Sequence, residues 1–274
     1  AISYAELKNE ITPEGGFSAA VAGDMNKETR YALEKFGFSE PEILEDASEK
    51  EVLLVDHNEF SQAVNGVENA EIVEVLDHHK VNFTYDSPIV FRSLPWGSSC
   101  TIIAEEYAAR GVELKPNLAG LMLAAILVDT VITKSPTCTD RDEEVIERLA
   151  GIAGIEDWKQ FGMELFKVRS SVQDSSAADI IQGDFKEFET SLGKLGIGQV
   201  ETVDVNEFDA RQEELLQELE NMRTSQGYHT TVLFITDIMK EGSRFLVATS
   251  DQAKVEEALG AQRSEERRVG KECR

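Results

Sequence analysis

Val52-Leu53-Leu54-Val55-Asp56-His57-Asn58-Glu59 and Ile72-Val73-Glu74-Val75-Leu76-Asp77-His78-His79 are two short apolar runs that each end in Asp and His. Runs of this length, rich in Val, Ile and Leu, predict buried strands. In an open α/β sheet, ligands bind in the crevice beyond the carboxyl ends of the strands, so two such ends can deliver their Asp and His side chains to one place. Asp and His from separate elements suit a divalent ion such as Mn, Co, Mg or Zn, because carboxylate and imidazole are preferred donors. One ion polarises a phosphoryl oxygen, and two ions sharing a carboxylate also acidify a water.

Outward from these strands the pattern alternates. Ile2 to Asn9 reads as a helix, Phe17 to Ala22 as a strand, and Lys27 to Phe36 as a helix closed by Gly37. After Pro95-Trp96-Gly97, Ser98 or Ser99 caps a helix that runs to Arg110 and stops at Gly111. Residues 117 to 131 form an apolar helix with Asp129 near its end, and Glu143 to Ala150 form another helix. Alternation of this kind predicts α/β architecture, a parallel sheet with helices on both faces. The stretch Gly151 to Gly162 shows little apolar periodicity, which places a domain boundary near residue 160, with domains over 1–158 and 163–260. Beyond it, strands at Ile197 to Val203, Thr231 to Thr236 and Phe245 to Ala248, with a helix from Asn206 to Ser225, predict a second, smaller α/β domain. The last residues, 263–274, carry no fold pattern and read as a non-native tail.

The 274 residues, 41% of them hydrophobic, suffice for one large or two medium cores. A net charge of −25 argues against a broad nucleic-acid surface, since phosphate backbones are held by clustered Lys and Arg. Cys100, Cys138 and Cys273 make no paired framework, which fits a reducing compartment, and the first two read as inert small hydrophobes. No run reaches the ~18 apolar residues of a membrane span, and no export signal opens the chain, so no membrane partner and a cytoplasmic location are expected.

These motifs resemble the family II inorganic pyrophosphatases of the DHH phosphoesterase superfamily. Val55-Asp56-His57-Asn58-Glu59 looks like that family's second motif and Asp77-His78-His79 its third; Leu127-Val128-Asp129-Thr130 with Lys134-Ser135-Pro136-Thr137 looks like the fourth. The resemblance implies a manganese enzyme, with cobalt or magnesium as alternatives, that splits diphosphate at a two-metal site. It implies that Asp56 bridges both ions, that His78 and Asp129 bind one of them, and that His79 contacts a phosphate as donor or general acid. A protonated imidazole can both offset phosphate charge and deliver a proton.

Ser98 and Ser99 sit where free helix amides can receive phosphate oxygens or where a simple cap is needed. Lys134 either approaches the anionic substrate or is a surface lysine. His57 is expected on the opposite face of its strand from Asp56, and His229 in a solvated loop. The family pattern also implies a Gly-His-x-x-Pro-Asp-x-Asp motif before Ala1, a gap in the sheet without it, a substrate-closing second domain with a Lys near Asp174-Ser175-Ser176, and a Ser-Arg-Lys-Lys-Gln motif near the C-terminus. Neither motif, nor that Lys, is found in this sequence, where Lys167 and Arg169 are the nearest basic residues to the Lys position. No turnover, or weak turnover at most, is therefore expected of the chain as given. A homodimer is implied as well. The alternatives are an exopolyphosphatase or short-nucleotide phosphoesterase of the same superfamily, and a non-catalytic metal-binding or interaction fragment. The Asp-His-Asn-Glu form of the second motif and the acidic composition favour small diphosphate.

Overall fold

A computed structural model describes residues 1–171, 175–191, 193–240, 242–259 and 269–270. It divides into two compact units, Ala1–Val168 and Arg169–Arg274. Asp174, most of the 263–274 tail and Cys273 lie outside the described residues.

The first unit opens with α1 (Ile2–Ile11), β1 (Ala20–Val21), α2 (Lys27–Phe36) and β2 (Glu42–Ile43). Helix α2 begins where the Asn26 side chain accepts from the Thr29 amide and ends at Gly37, which takes φ 73° without a Cβ penalty. Strands β1 and β2 pair in parallel. The expected strand over 17–22 is confined to two residues, because Asn9 instead holds the Phe17 backbone through both of its side-chain polar atoms.

Strands β3 (Glu51–Val55), β4 (Glu71–Asp77) and β5 (Val90–Ser93) form a separate parallel sheet in the order β3-β4-β5. Val55 lies opposite Leu76, so the chain leaves the two strands at Asp56 and Asp77 side by side. Leu54, Val67, Ile72 and Val75 make a buried cluster beneath this sheet. The amide of Asp56 still joins the ladder, donating to the Leu76 carbonyl at 2.9 Å. Its φ is 73°, a left-handed conformation that Asp tolerates better than most residues and that turns the chain sharply off the strand.

Helices α3 (Ser99–Arg110), α4 (Pro116–Asp129), α5 (Asp140–Ala153) and α6 (Trp158–Arg169) complete the unit. Helix α4 stops at Asp129, two residues before the expected end. Val131, Ile132 and Thr133 follow with φ of 50°, 52° and 65°, a left-handed turn in residues that rarely adopt one. Ile132 is buried there, and Gly162 of α6 leaves the room that its side chain fills. The boundary expected near residue 160 falls inside α6. Phe161, Leu165 and Phe166 bury one face of that helix, and its glycine serves packing rather than a linker.

The second unit contains α7 (Ala177–Gln182), β6 (Phe185–Thr190), β7 (Gly193–Thr202), α8 (Gln212–Ser225), β8 (Thr230–Asp237), β9 (Gly242–Thr249), α9 (Gln252–Leu259) and β10 (Val269–Gly270). Its sheet runs β10-β9-β8-β7-β6, with β7 and β8 parallel and the other pairs antiparallel. Phe208, Leu215, Leu219, Leu233 and Ile235 form the core between α8 and the sheet. The long helix expected from Asn206 is a 3-10 turn over Val205–Arg211 before α8 begins. His229 is half-buried rather than solvated, with Nδ1 2.9 Å from Thr230 Oγ1 at the start of β8. Val269 and Gly270 of the expected patternless tail pair with Ser243 and Gly242.

Candidate metal centre

Asp56, His78 and His79 each offer one ligand atom, and the three atoms lie within 4.8 Å of one another. His78 Nε2 is 3.5 Å from Asp56 Oδ1. The other ring nitrogen, Nδ1, faces the Trp96 carbonyl at 2.9 Å. A carbonyl can only accept, so Nδ1 carries the proton and Nε2 keeps its lone pair toward Asp56. An imidazole fixed in this way from behind is the usual support of a metal ligand. The donor chemistry therefore fits a divalent ion, with Asp56 and His78 as its residues.

Asp77 is fully buried and organises both histidines. Its Oδ1 accepts from the His78 amide at 2.7 Å, the His79 amide at 3.2 Å and His79 Nδ1 at 2.8 Å. Its Oδ2 accepts from Asn58 Nδ2 at 2.6 Å. Burial alone would raise the Asp77 carboxyl, but these four donors outweigh it and hold the group below the usual carboxylate range. For His79, desolvation lowers the imidazole pKa while the Asp77 bond and the charges of Asp77, Asp56 and Asp129 raise it, with a net rise. His79 is thus better protonated near neutrality than a free imidazole, and its ring remains exposed.

Asp129 sits at the end of α4, where Ser98 Oγ donates to Oδ2 at 2.6 Å. It is outside the mutually close set of three. It is nevertheless near enough to feel the charges of Asp56, His78 and His79. Asp56, Asp129, Ser98 and Ser99 all line a cavity of ≈ 360 Å³ with mostly apolar walls. Asp129 keeps an exposed face, yet the dense protein around its carboxyl pushes it up to about 6; the Ser98 bond opposes this, and the like charge of Asp56 adds to it.

The remaining expected site residues divide. Ser98 is the N-cap of α3, accepting from the Cys100 amide while it donates to Asp129, so its hydroxyl is committed on both sides. Ser99 Oγ is buried and has no hydrogen-bond partner among the described residues. Lys134 is exposed just past the left-handed turn, with its amide on the Val131 carbonyl. His57 turns back on its own strand, Nδ1 3.1 Å from the Val55 carbonyl. Asn58, which the sequence shows only as a letter of the second motif, supports the site. Besides holding Asp77, it bonds the Lys80 carbonyl and the Asn82 amide, tying the two strand ends together. Its place beside Asp56-His57 was the available signal.

A strand-end Asp-His-His in one unit and a smaller mixed-sheet unit after it define a two-part DHH protein. Residues 2–126 match the DHH family, N-terminal domain, and residues 163–270 match the DHHA2 domain. The manganese-dependent inorganic pyrophosphatase of Methanothrix thermoacetophila is 44% identical over 263 residues, covering 95% of this chain and 84% of that protein. That of Methanocaldococcus jannaschii is 46% identical over 233 residues, covering 82% and 76%. A solved Methanococcus jannaschii structure assigned to the family II inorganic pyrophosphatases superposes with a TM-score of 0.66 at 43% identity, over 91% of this chain and 84% of that one. The chain belongs to the family of manganese-dependent, family II inorganic pyrophosphatases.

Proposed function

We propose that this chain hydrolyses inorganic diphosphate to two phosphates at the site formed by Asp56, His78, His79 and Asp129, with manganese as its ion. The observation that carries the reading is the His78 ring, locked through Nδ1 to a backbone carbonyl so that Nε2 points at Asp56. When bound, a divalent ion supplies charge to a phosphoryl oxygen and acidifies a water. Asp56, His78 and Asp129 would hold the metal, with Asp56 available to a second ion. Asp77 holds Nδ1 of His79, leaving Nε2 to carry the proton toward a phosphate oxygen. Ser99 and Lys134 are assigned to substrate contact, and Ser98 to holding Asp129.

The DHH part is assigned to the first unit and the DHHA2 part to the second. A cytoplasmic setting is supported by the free thiols, which burial raises to about 12 for Cys100 and about 11 for Cys138. A homodimer is supported by β5, an edge strand that exposes Val90 and Phe91.

Calorimetric titration of manganese into chelator-treated protein, with phosphate release from diphosphate measured alongside, tests the reading. Asp56→Asn is the control, since Asn accepts the left-handed backbone that position 56 requires. Manganese binding lost in the variant, and any turnover lost with it, is the expected result. Unchanged affinity in Asp56→Asn would show that the ion binds elsewhere.

A further inference from the structure

Asp142 lies on α5 and is completely buried, far along the chain from the histidines. Its Oδ2 accepts from the Gly97 amide at 2.8 Å, the Thr139 amide at 2.8 Å and Thr139 Oγ1 at 2.6 Å, while Oδ1 accepts from Thr101 Oγ1 at 2.5 Å. Three donors crowd onto Oδ2 and one reaches Oδ1, so both oxygens are engaged. The Thr139 bonds make a capping box and would be sufficient to start α5. The Gly97 and Thr101 bonds serve another purpose.

The Gly97 N–H and the Trp96 C=O belong to one peptide plane. Asp142 grips that plane by its N–H, and His78 Nδ1 uses its C=O. A carboxylate on the N–H polarises the peptide and strengthens its carbonyl as an acceptor. A Cβ on Gly97 would approach Asp142 Oδ2 to 2.9 Å and Thr130 Cγ2 to 2.7 Å, so the glycine allows the plane to come this close. Through Thr101, the same carboxylate fixes the first turn of α3, whose cap Ser98 holds Asp129.

We infer that Asp142 is a positioning residue of the metal centre: its carboxylate clamps the Trp96–Gly97 peptide, which in turn fixes the orientation and tautomer of His78. This rests on the proposed metal site, and the two can fail separately. Asp142→Asn is expected to lower manganese affinity by about 10–100-fold. In the metal-free protein, long-range nitrogen–proton spectra should show His78 protonated only on Nδ1, and a mixture of tautomers in Asp142→Asn. Leu149→Ala, at a buried apolar α5 residue that makes none of the hydrogen bonds to the carboxylate, should lower the melting temperature while leaving the His78 tautomer and the affinity of the folded protein unchanged.

Should Asp142→Asn not fold, the unmodified chain still decides the matter. On titration with zinc as a diamagnetic probe, the Gly97 amide proton should shift together with the His78 ring. Loss of binding in Asp56→Asn, combined with wild-type affinity and tautomer in Asp142→Asn or a Gly97 amide indifferent to zinc, overturns the clamp and leaves the metal site standing. Metal binding unaffected by Asp56→Asn overturns the site itself.

Discussion

Ser98 does two things with one hydroxyl, capping α3 and donating to Asp129. Ser98→Ala removes a cap worth about 1 kcal/mol and also the bond that opposes the upward shift of the Asp129 carboxyl. In the metal-free chain, a carboxyl raised to about 6 favours folding most at low pH, and that contribution is lost as pH rises through about 6. Metal binding has the opposite sign, because a ligand carboxylate must be deprotonated. Manganese affinity should therefore fall as pH drops through about 6, and in Ser98→Ala the fall should begin at higher pH while the two proteins converge in mild alkali. Titrations at a series of pH values check this, and a fall that begins at the same pH in both proteins would separate Ser98 from the ionisation. At this scale the convergence of Asp56, His78 and His79 could be expected from two strand ends that each carry Asp and His. The Trp96 carbonyl and the work of Asp142 could not, since a backbone acceptor has no letter and a capping Asp looks like any other.

Legibility of the elements followed how local their causes are. Helix α2 could be read to the residue because Asn26 and Gly37 mark its ends within its own segment. Strand β5 was missed because four residues on a sheet edge carry no alternating pattern, and α6 because Gly162 answers to Ile132, a residue from another part of the chain. The turn at 131–133 was likewise invisible, being imposed by packing on residues that disfavour it. Left-handed backbone costs roughly 1–2 kcal/mol per non-glycine residue. Val131→Gly should accordingly be more stable than Val131→Ala by about 1 kcal/mol, reversing the usual order of these two residues. Urea unfolding of the pair measures the difference, and an alanine variant at least as stable as the glycine one would mean that the turn carries no strain at position 131.

For the molecule as a whole, the sequence revealed two units and the type of each, because alternating helix and strand signals are dense in the first part and strand-rich in the second. The dividing point after Val168 was less visible, since a helix runs across it. Strand β5 is an edge with apolar Val90 and Phe91 in solvent and the Phe60–Phe83–Phe91 ring cluster behind it. Such an edge is commonly blunted or covered. If a second copy covers it, stability ceases to be a property of one chain and becomes a property of how much protein is present. Dilution should lower the melting temperature and shift sedimentation toward the monomer, whereas Val90→Lys should behave at every concentration as the wild type does when dilute. Sedimentation that stays monomeric at high concentration would remove the dimer from the proposal. The same dependence would set a floor on the concentration at which the enzyme stays assembled.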